Sequence, residues 1–214
     1  MGIILKILEL WLSCIQNIRN QKNRDRLTND SVSLVCSNCA GGVLYHWLGL
    51  KFNSPFINLF MSNNDFLFAM ENFDDFLRTP IIEDQGKEKG YPVGIGYGGI
   101  KINFMHYLSF IEAEKIWEKR KLRIQKDNLA VMLTNWNGES DVVKRFDKLP
   151  FNNKVIFTTK PFLQYNSAYY IRRWKREYKG TPMNLWRTEN IITGKRFIDQ
   201  FDYVSFFNNS IRKL

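Results

Sequence analysis

Val32-Ser33-Leu34-Val35-Cys36-Ser37-Asn38-Cys39-Ala40-Gly41-Gly42-Val43-Leu44-Tyr45-His46-Trp47-Leu48-Gly49 is the stretch whose reading decides the fold. Residues 32–36 have the length and apolar content of a buried strand, and residues 41–48 form an amphipathic helical pattern closed by Gly49. Between them Ser37-Asn38-Cys39 is a polar turn carrying a thiol. A helix N-terminus presents unpaired N–H groups and a partial positive charge, which favour an anion or a thiolate. The turn is therefore the first candidate for a ligand or reaction site.

Outward from this unit the chain alternates. Further strands are expected at residues 56–60, 94–105, 129–134 and 154–159, and helices at 65–77, 110–124 and 140–149. Ser109 followed by Glu112 forms a capping box that starts the third of these helices. Short apolar strands separated by amphipathic helices indicate βαβ units. The predicted fold class is α/β, a mainly parallel, Rossmann-like three-layer sheet. The glycine-rich residues 90–99 read as a flexible edge or turn, and residues 196–208 as an added strand or a docked tail.

The N-terminus reads separately. Ile3, Ile4, Ile7, Leu8, Leu10, Trp11, Leu12, Ile15 and Ile18 recur at helical spacing, with Lys6, Glu9, Gln16 and Arg19 opposite. Lys6 and Glu9 break the run well short of the ~18 apolar residues a membrane span requires, and they spoil the apolar core of a secretory signal. Residues 20–26 read as a polar linker with basic excess. The organisation expected is an amphipathic helix and linker over residues 1–28, then a single α/β domain over 29–214. Trp11 beside a basic flank suits a helix lying on an anionic membrane surface. Packing on its own domain or on a second subunit is the competing reading.

The chain has 214 residues, 44% of them hydrophobic, with 17 Phe, 9 Tyr and 6 Trp, enough for one sizeable core and too aromatic for disorder. Its three cysteines, Cys14, Cys36 and Cys39, fit neither a disulfide scaffold nor, with two histidines, a zinc site. A reducing cytoplasm and no metal are expected, with the inner face of the cell membrane as a further location. The net charge of +10 calls for an anionic partner. Basic residues gather at 119–123 and 172–176, but no RNP, zinc-finger or recognition-helix pattern accompanies them, so nucleic acid is not expected. No Walker motif and no Rossmann glycine fingerprint occurs, and no cofactor is specified.

In open α/β sheets ligands bind beyond the carboxyl ends of the strands. Those ends hold Asn38 and Cys39, residues 61–65, His106 and Tyr107, Asn135 to Asn137, and Lys160. Cys39 is the candidate nucleophile, with His106 as general base and Asn135 or Asp127 to orient it. Asn38, Tyr107 and Asn137 are candidate ligand contacts, the Gly41 and Gly42 backbone a candidate anion cradle, and Lys160 a candidate phosphate contact. The competing reading makes Cys39 a small, half-buried residue at the start of a helix. His46 reads as packed or surface, and Asp74-Asp75 as a solvated helix face.

Several runs are distinctive together: Ser37-Asn38-Cys39-Ala40-Gly41-Gly42, Tyr45-His46-Trp47-Leu48-Gly49, Tyr91-Pro92-Val93-Gly94, His106-Tyr107, Phe146-Asp147-Lys148-Leu149-Pro150-Phe151 and Asp199-Gln200-Phe201-Asp202-Tyr203-Val204. Over about residues 34–208 the chain resembles a bacterial exopolysaccharide or capsule biosynthesis family of unknown molecular function. The resemblance implies a pathway, with no catalytic residues to carry over. Two classes follow. One is a transferase, moving a sugar from a nucleotide donor, or an acyl group by Cys-His chemistry, onto a glycan or lipid-linked glycan acceptor. The other is a non-catalytic glycan-binding component of the assembly machinery.

Overall fold

The computed structural model describes residues 2–86 and 90–210. In chain order the elements are α1 (Gly2–Arg26), β1 (Ser33–Cys36), α2 (Ala40–Leu48), α3 (Asn63–Glu71), α4 (Phe73–Arg78), β2 (Ile82–Glu83), β3 (Val93–Ile95), β4 (Lys101–Asn103), α5 (Phe110–Lys121), β5 (Leu129–Asn135), α6 (Ser140–Asp147), β6 (Lys154–Thr158), β7 (Ala168–Tyr170) and, after a run of short hairpins, α7 (Tyr203–Asn208).

The central sheet has the order β1-β5-β6-β7, and every pair in it is parallel. Strand periodicity sorts its side chains into two cores. Val35, Val131, Leu133 and Ile156 face α3 to α6 and the aromatic cluster of Phe56, Phe66, Phe76, Phe104 and Trp117. Leu34, Cys36, Ala130, Met132, Val155 and Phe157 face α2 and the C-terminal segment with Phe197, Tyr203 and Phe207. The chain is thus an α/β fold on a parallel sheet covered on both faces, as its strand pattern predicts.

The unit that opened the sequence reading is held by two devices. The Tyr45 hydroxyl donates to the Val32 carbonyl at 2.7 Å and accepts from the Leu34 N–H at 2.8 Å, tying α2 back onto β1. Gly41 lets the helix sink onto the strand, since a Cβ there would lie 2.8 Å from the Cβ of Cys36. Gly41→Ala gains up to ~1 kcal/mol of helix propensity. Overpacking against a backbone-fixed Cβ costs about 1–3 kcal/mol. The expected result is net destabilisation, read as a lower denaturation midpoint.

Four expectations are corrected. Residues 56–60 are not a strand: Asn58 takes a left-handed φ of 62°, which breaks the extended run, and only Phe60 pairs, with Asn103. Residues 94–105 are not one strand but the antiparallel pair β3–β4 of a separate small sheet with β2, reversed at Gly98 and Gly99, whose φ values are 70° and 78°. The helix expected at 65–77 is two helices, broken at Asn72, whose amide donates to the Phe68 carbonyl at 2.9 Å. Residues 20–26 are no linker: α1 runs unbroken to Arg26, and its polar side chains bond the domain. The fourth strand of the sheet, β7, has no counterpart in the sequence reading. It is three residues long, so its alternation is too brief to register.

Candidate active site

Cys39 follows the carboxyl end of β1 and directly precedes α2. His106 lies in the loop between β4 and α5, distant in sequence. Ser37 accepts a hydrogen bond from Met61 N–H at 2.9 Å, and Phe60 and Asn103 exchange backbone bonds at 2.8 and 2.9 Å. The segment 60–61 therefore stitches the end of β1 to the end of β4, and the loop after β4 carries His106 over Cys39. The outcome is a Cys39 Sγ to His106 Nε2 distance of 3.4 Å, within the reach of a thiol–imidazole hydrogen bond. Sγ also lies 3.8 Å from the Leu59 carbonyl oxygen.

Tyr107 secures this loop. Its ring is buried and packs edge-on against Phe104 at 5.7 Å, and its hydroxyl accepts from Arg120 at 2.9 Å and reaches the Ile57 carbonyl at 3.5 Å. A side chain read as a ligand contact is thus committed to positioning the histidine beside it. Arg120 in turn lies over the Phe52 ring and Arg123 donates to the Phe52 carbonyl, so much of the basic run at 119–123 is bonded to the protein itself.

The helix end is already satisfied locally. Asn38 Oδ1 accepts from the Ala40 N–H at 2.9 Å, and the Asn38 carbonyl accepts from Gly41 N–H at 3.4 Å. Asn38 is buried, and its Nδ2 has no hydrogen-bond partner among the described residues. A Cβ at Gly42 would meet Asn58 Oδ1 at 3.0 Å, so this glycine, like Gly41, serves close packing. Asn135 is fully buried with its amide turned onto Glu139, donating to that carbonyl at 3.0 Å and accepting from its N–H at 3.2 Å. Asp127 precedes β5 and lies at the amino end of the sheet, the end opposite Cys39. Among the described residues neither bonds His106.

Burial pushes the Cys39 thiol up from its ordinary range. Desolvation outweighs the one backbone hydrogen bond that favours its charged form, so the site favours the protonated thiol over the thiolate. Burial pushes Cys36 further, to about 11, and leaves it an inert core residue.

Beside the pair opens a cleft of about 610 Å³ lined by Phe60, Ser62, Asn63, Asn64, Tyr91, Met105, Trp136, Asn137, Glu139, Arg176 and Glu177. Phe60 and Met105 of its wall are the chain neighbours of Leu59 and His106, the two residues that approach Sγ. Asn137 and Asn63 both donate to the Glu139 carboxylate, at 3.3 and 3.4 Å. Lys160 is exposed beside Gly138, its ammonium 5.4 Å from the Phe162 ring centre. Sequence reasoning named Asn137 and the 61–65 turn but missed Tyr91, Glu139 and Glu177 as lining residues. They come from loops whose approach no local pattern encodes.

A family model described as a domain of unknown function, DUF1919, matches residues 12–208. The chain belongs to that family. It is also 40% identical over 192 residues to an uncharacterized protein of Haemophilus influenzae, a match covering 89% of this chain and 91% of the relative. Among the described residues no group of three or more His, Cys, Asp or Glu side chains could hold a metal, and no helix is long and apolar enough to cross a membrane.

Proposed function

We propose that this protein is a cysteine-dependent acyltransferase acting on a glycan hydroxyl. The observation that carries the reading is the 3.4 Å approach of Cys39 Sγ to His106 Nε2, one residue along the chain from Met105 of a largely apolar, aromatic-walled cleft. In the first half-reaction Sγ attacks the carbonyl carbon of an acyl donor and His106 takes the thiol proton. The S–C bond forms, the bond to the leaving group breaks, and the leaving group departs with that proton. In the second, an acceptor hydroxyl loses its proton to His106 and attacks the thioester carbonyl. The S–C bond breaks and the proton returns to sulfur.

The cleft supports a polyhydroxylated acceptor. Trp136 and Tyr91 line it with aromatic side chains, while Asn63, Asn64, Asn137 and Glu139 supply hydrogen-bonding groups. The motif resemblance supports a setting in exopolysaccharide or capsule assembly, with a glycan or lipid-linked glycan as acceptor, and the free thiols support a reducing cytoplasm. Sugar transfer from a nucleotide donor draws less support, because the space at Gly41 and Gly42 is filled by Cys36 and Asn58.

Intact-mass analysis after incubation with acyl-coenzyme A and simpler thioesters tests the proposal. An acyl adduct on Cys39, absent from Cys39→Ala and discharged by added oligosaccharide, is the expected result. Retention of glycan binding by both proteins, with no adduct from any donor, would transfer the assignment to a binding module.

A further inference from the structure

At about 3.6 residues per turn, Ile4, Ile7, Trp11, Ile15 and Ile18 share one side of α1, and Glu9, Ser13, Gln16, Asn20 and Arg24 share the other. A helix of this kind ordinarily turns its apolar stripe to the core. Here the orientation is reversed. Gln16 donates to Thr188 at 3.0 Å, Asn20 accepts from Arg196 at 2.8 Å, and Arg24 donates to the Trp47 carbonyl at 2.8 Å, so the polar side docks on the domain. The apolar side faces away, with Ile4 74%, Ile7 61%, Trp11 53% and Ile18 53% exposed.

A second element extends that surface. The loop joining the strands Thr188–Asn190 and Lys195–Arg196 lies against α1, with Gly194 beside Ile15 and the Thr193 carbonyl bonded by Arg19 at 3.1 Å. Its Ile191 and Ile192 are exposed. Lys22 continues the apolar side one turn beyond Ile18 and is exposed, and Lys195 flanks the loop. Asp25 also falls near this side, bonded by Gln21 at 2.9 Å. Arg24 bonds the Trp47 carbonyl, and Arg19 and Arg26 pair with Asp199 and Asp202 of the domain, so the basic groups at this face are Lys22 and Lys195.

We infer that the outward face of α1, together with the Ile191-Ile192 loop, docks on an anionic lipid bilayer. A helix lying in the interface buries a broad apolar face and gains from basic residues at the headgroups. The exposed apolar residues include Leu5 and Leu10 on either flank, wider than the narrow seam of a two-helix contact. A bilayer matches that width.

The test is co-sedimentation of the full chain with phosphatidylcholine vesicles, with and without phosphatidylglycerol. Binding to the anionic vesicles is expected, weakened about tenfold or more in the double variant Ile7→Ser, Trp11→Ser, and also weakened in Lys22→Glu and Ile192→Ser. Thermal midpoints should stay at the wild-type value, since these side chains are exposed. No vesicle binding, equal binding to neutral vesicles, or undiminished binding by the double variant would each overturn the inference. A dimer in sedimentation velocity that the double variant abolishes, without vesicle binding, would instead give this face to a second copy.

Discussion

Cys39→Ala should abolish acyl transfer, and His106→Gln should lower it by about 10²–10⁴-fold, the range a positioned general base supplies. Iodoacetamide offers an independent readout that needs no substrate. Folded protein should be labelled at Cys39 and at the exposed Cys14, and not at Cys36, which is buried with its thiol pushed to about 11. The pH dependence follows from the raised thiol. Because burial holds the Cys39 thiol above its ordinary range, thiolate is scarce at neutral pH. Alkylation should therefore accelerate as pH rises through and beyond the ordinary thiol range. A labelling rate already at its plateau at neutral pH would mean a preformed thiolate–imidazolium pair and would refute the base-assisted route. Full turnover by Cys39→Ala would end the covalent mechanism altogether.

Arg196→Met should be among the most destabilising single changes in the chain. Arg196 is 1% exposed, pairs with the equally buried Asp199 at 3.0 Å, donates to Asn20 of α1 at 2.8 Å, and stacks 3.5 Å from the centre of the Trp47 ring on α2. Removing it leaves the Asp199 carboxylate buried, with Arg19 at 3.6 Å as its remaining cationic neighbour. Breaking a buried pair by deleting one partner costs about 3–5 kcal/mol, a large share of the stability of an ordinary domain. Urea unfolding should show that loss. Arg196→Met combined with Asp199→Asn should recover part of it, because the stranded charge is gone. A loss below ~1 kcal/mol in the single variant would show that the pair is not the clamp between α1, α2 and the C-terminal segment.

Much of the central sheet was legible because its strands are buried on both faces and read as continuous apolar runs. Residues 32–36, 129–134 and 154–159 correspond to β1, β5 and β6 to within a residue or two. The helices α2, α5 and α6 were equally plain, with the Ser109 cap of α5 accepting from Glu112 N–H at 3.2 Å. The small sheet was misread for a local reason: two adjacent glycines reversed a run that composition alone shows as extended. The 56–60 segment failed similarly. Its apolar residues are indeed buried, but Asn58, packed beside Gly42, turns the backbone out of the strand region.

For the site, the sequence alone determined that a thiol stands where a parallel strand meets a helix, and that a histidine follows another short extended run. Both are consequences of local periodicity, which is written in consecutive residues. That Sγ and Nε2 lie 3.4 Å apart was decided only by tertiary structure, through the Phe60–Asn103 pairing and the Tyr107–Arg120 bond between elements distant in sequence. The same holds for α1. Its amphipathic pattern was evident, yet which side meets the domain depends on hydrogen bonds from its polar side chains to residues 47, 188 and 196. Hydrophobic periodicity marks the two sides of a helix. Only the contacts formed on folding decide which side the protein covers and which it leaves for another surface.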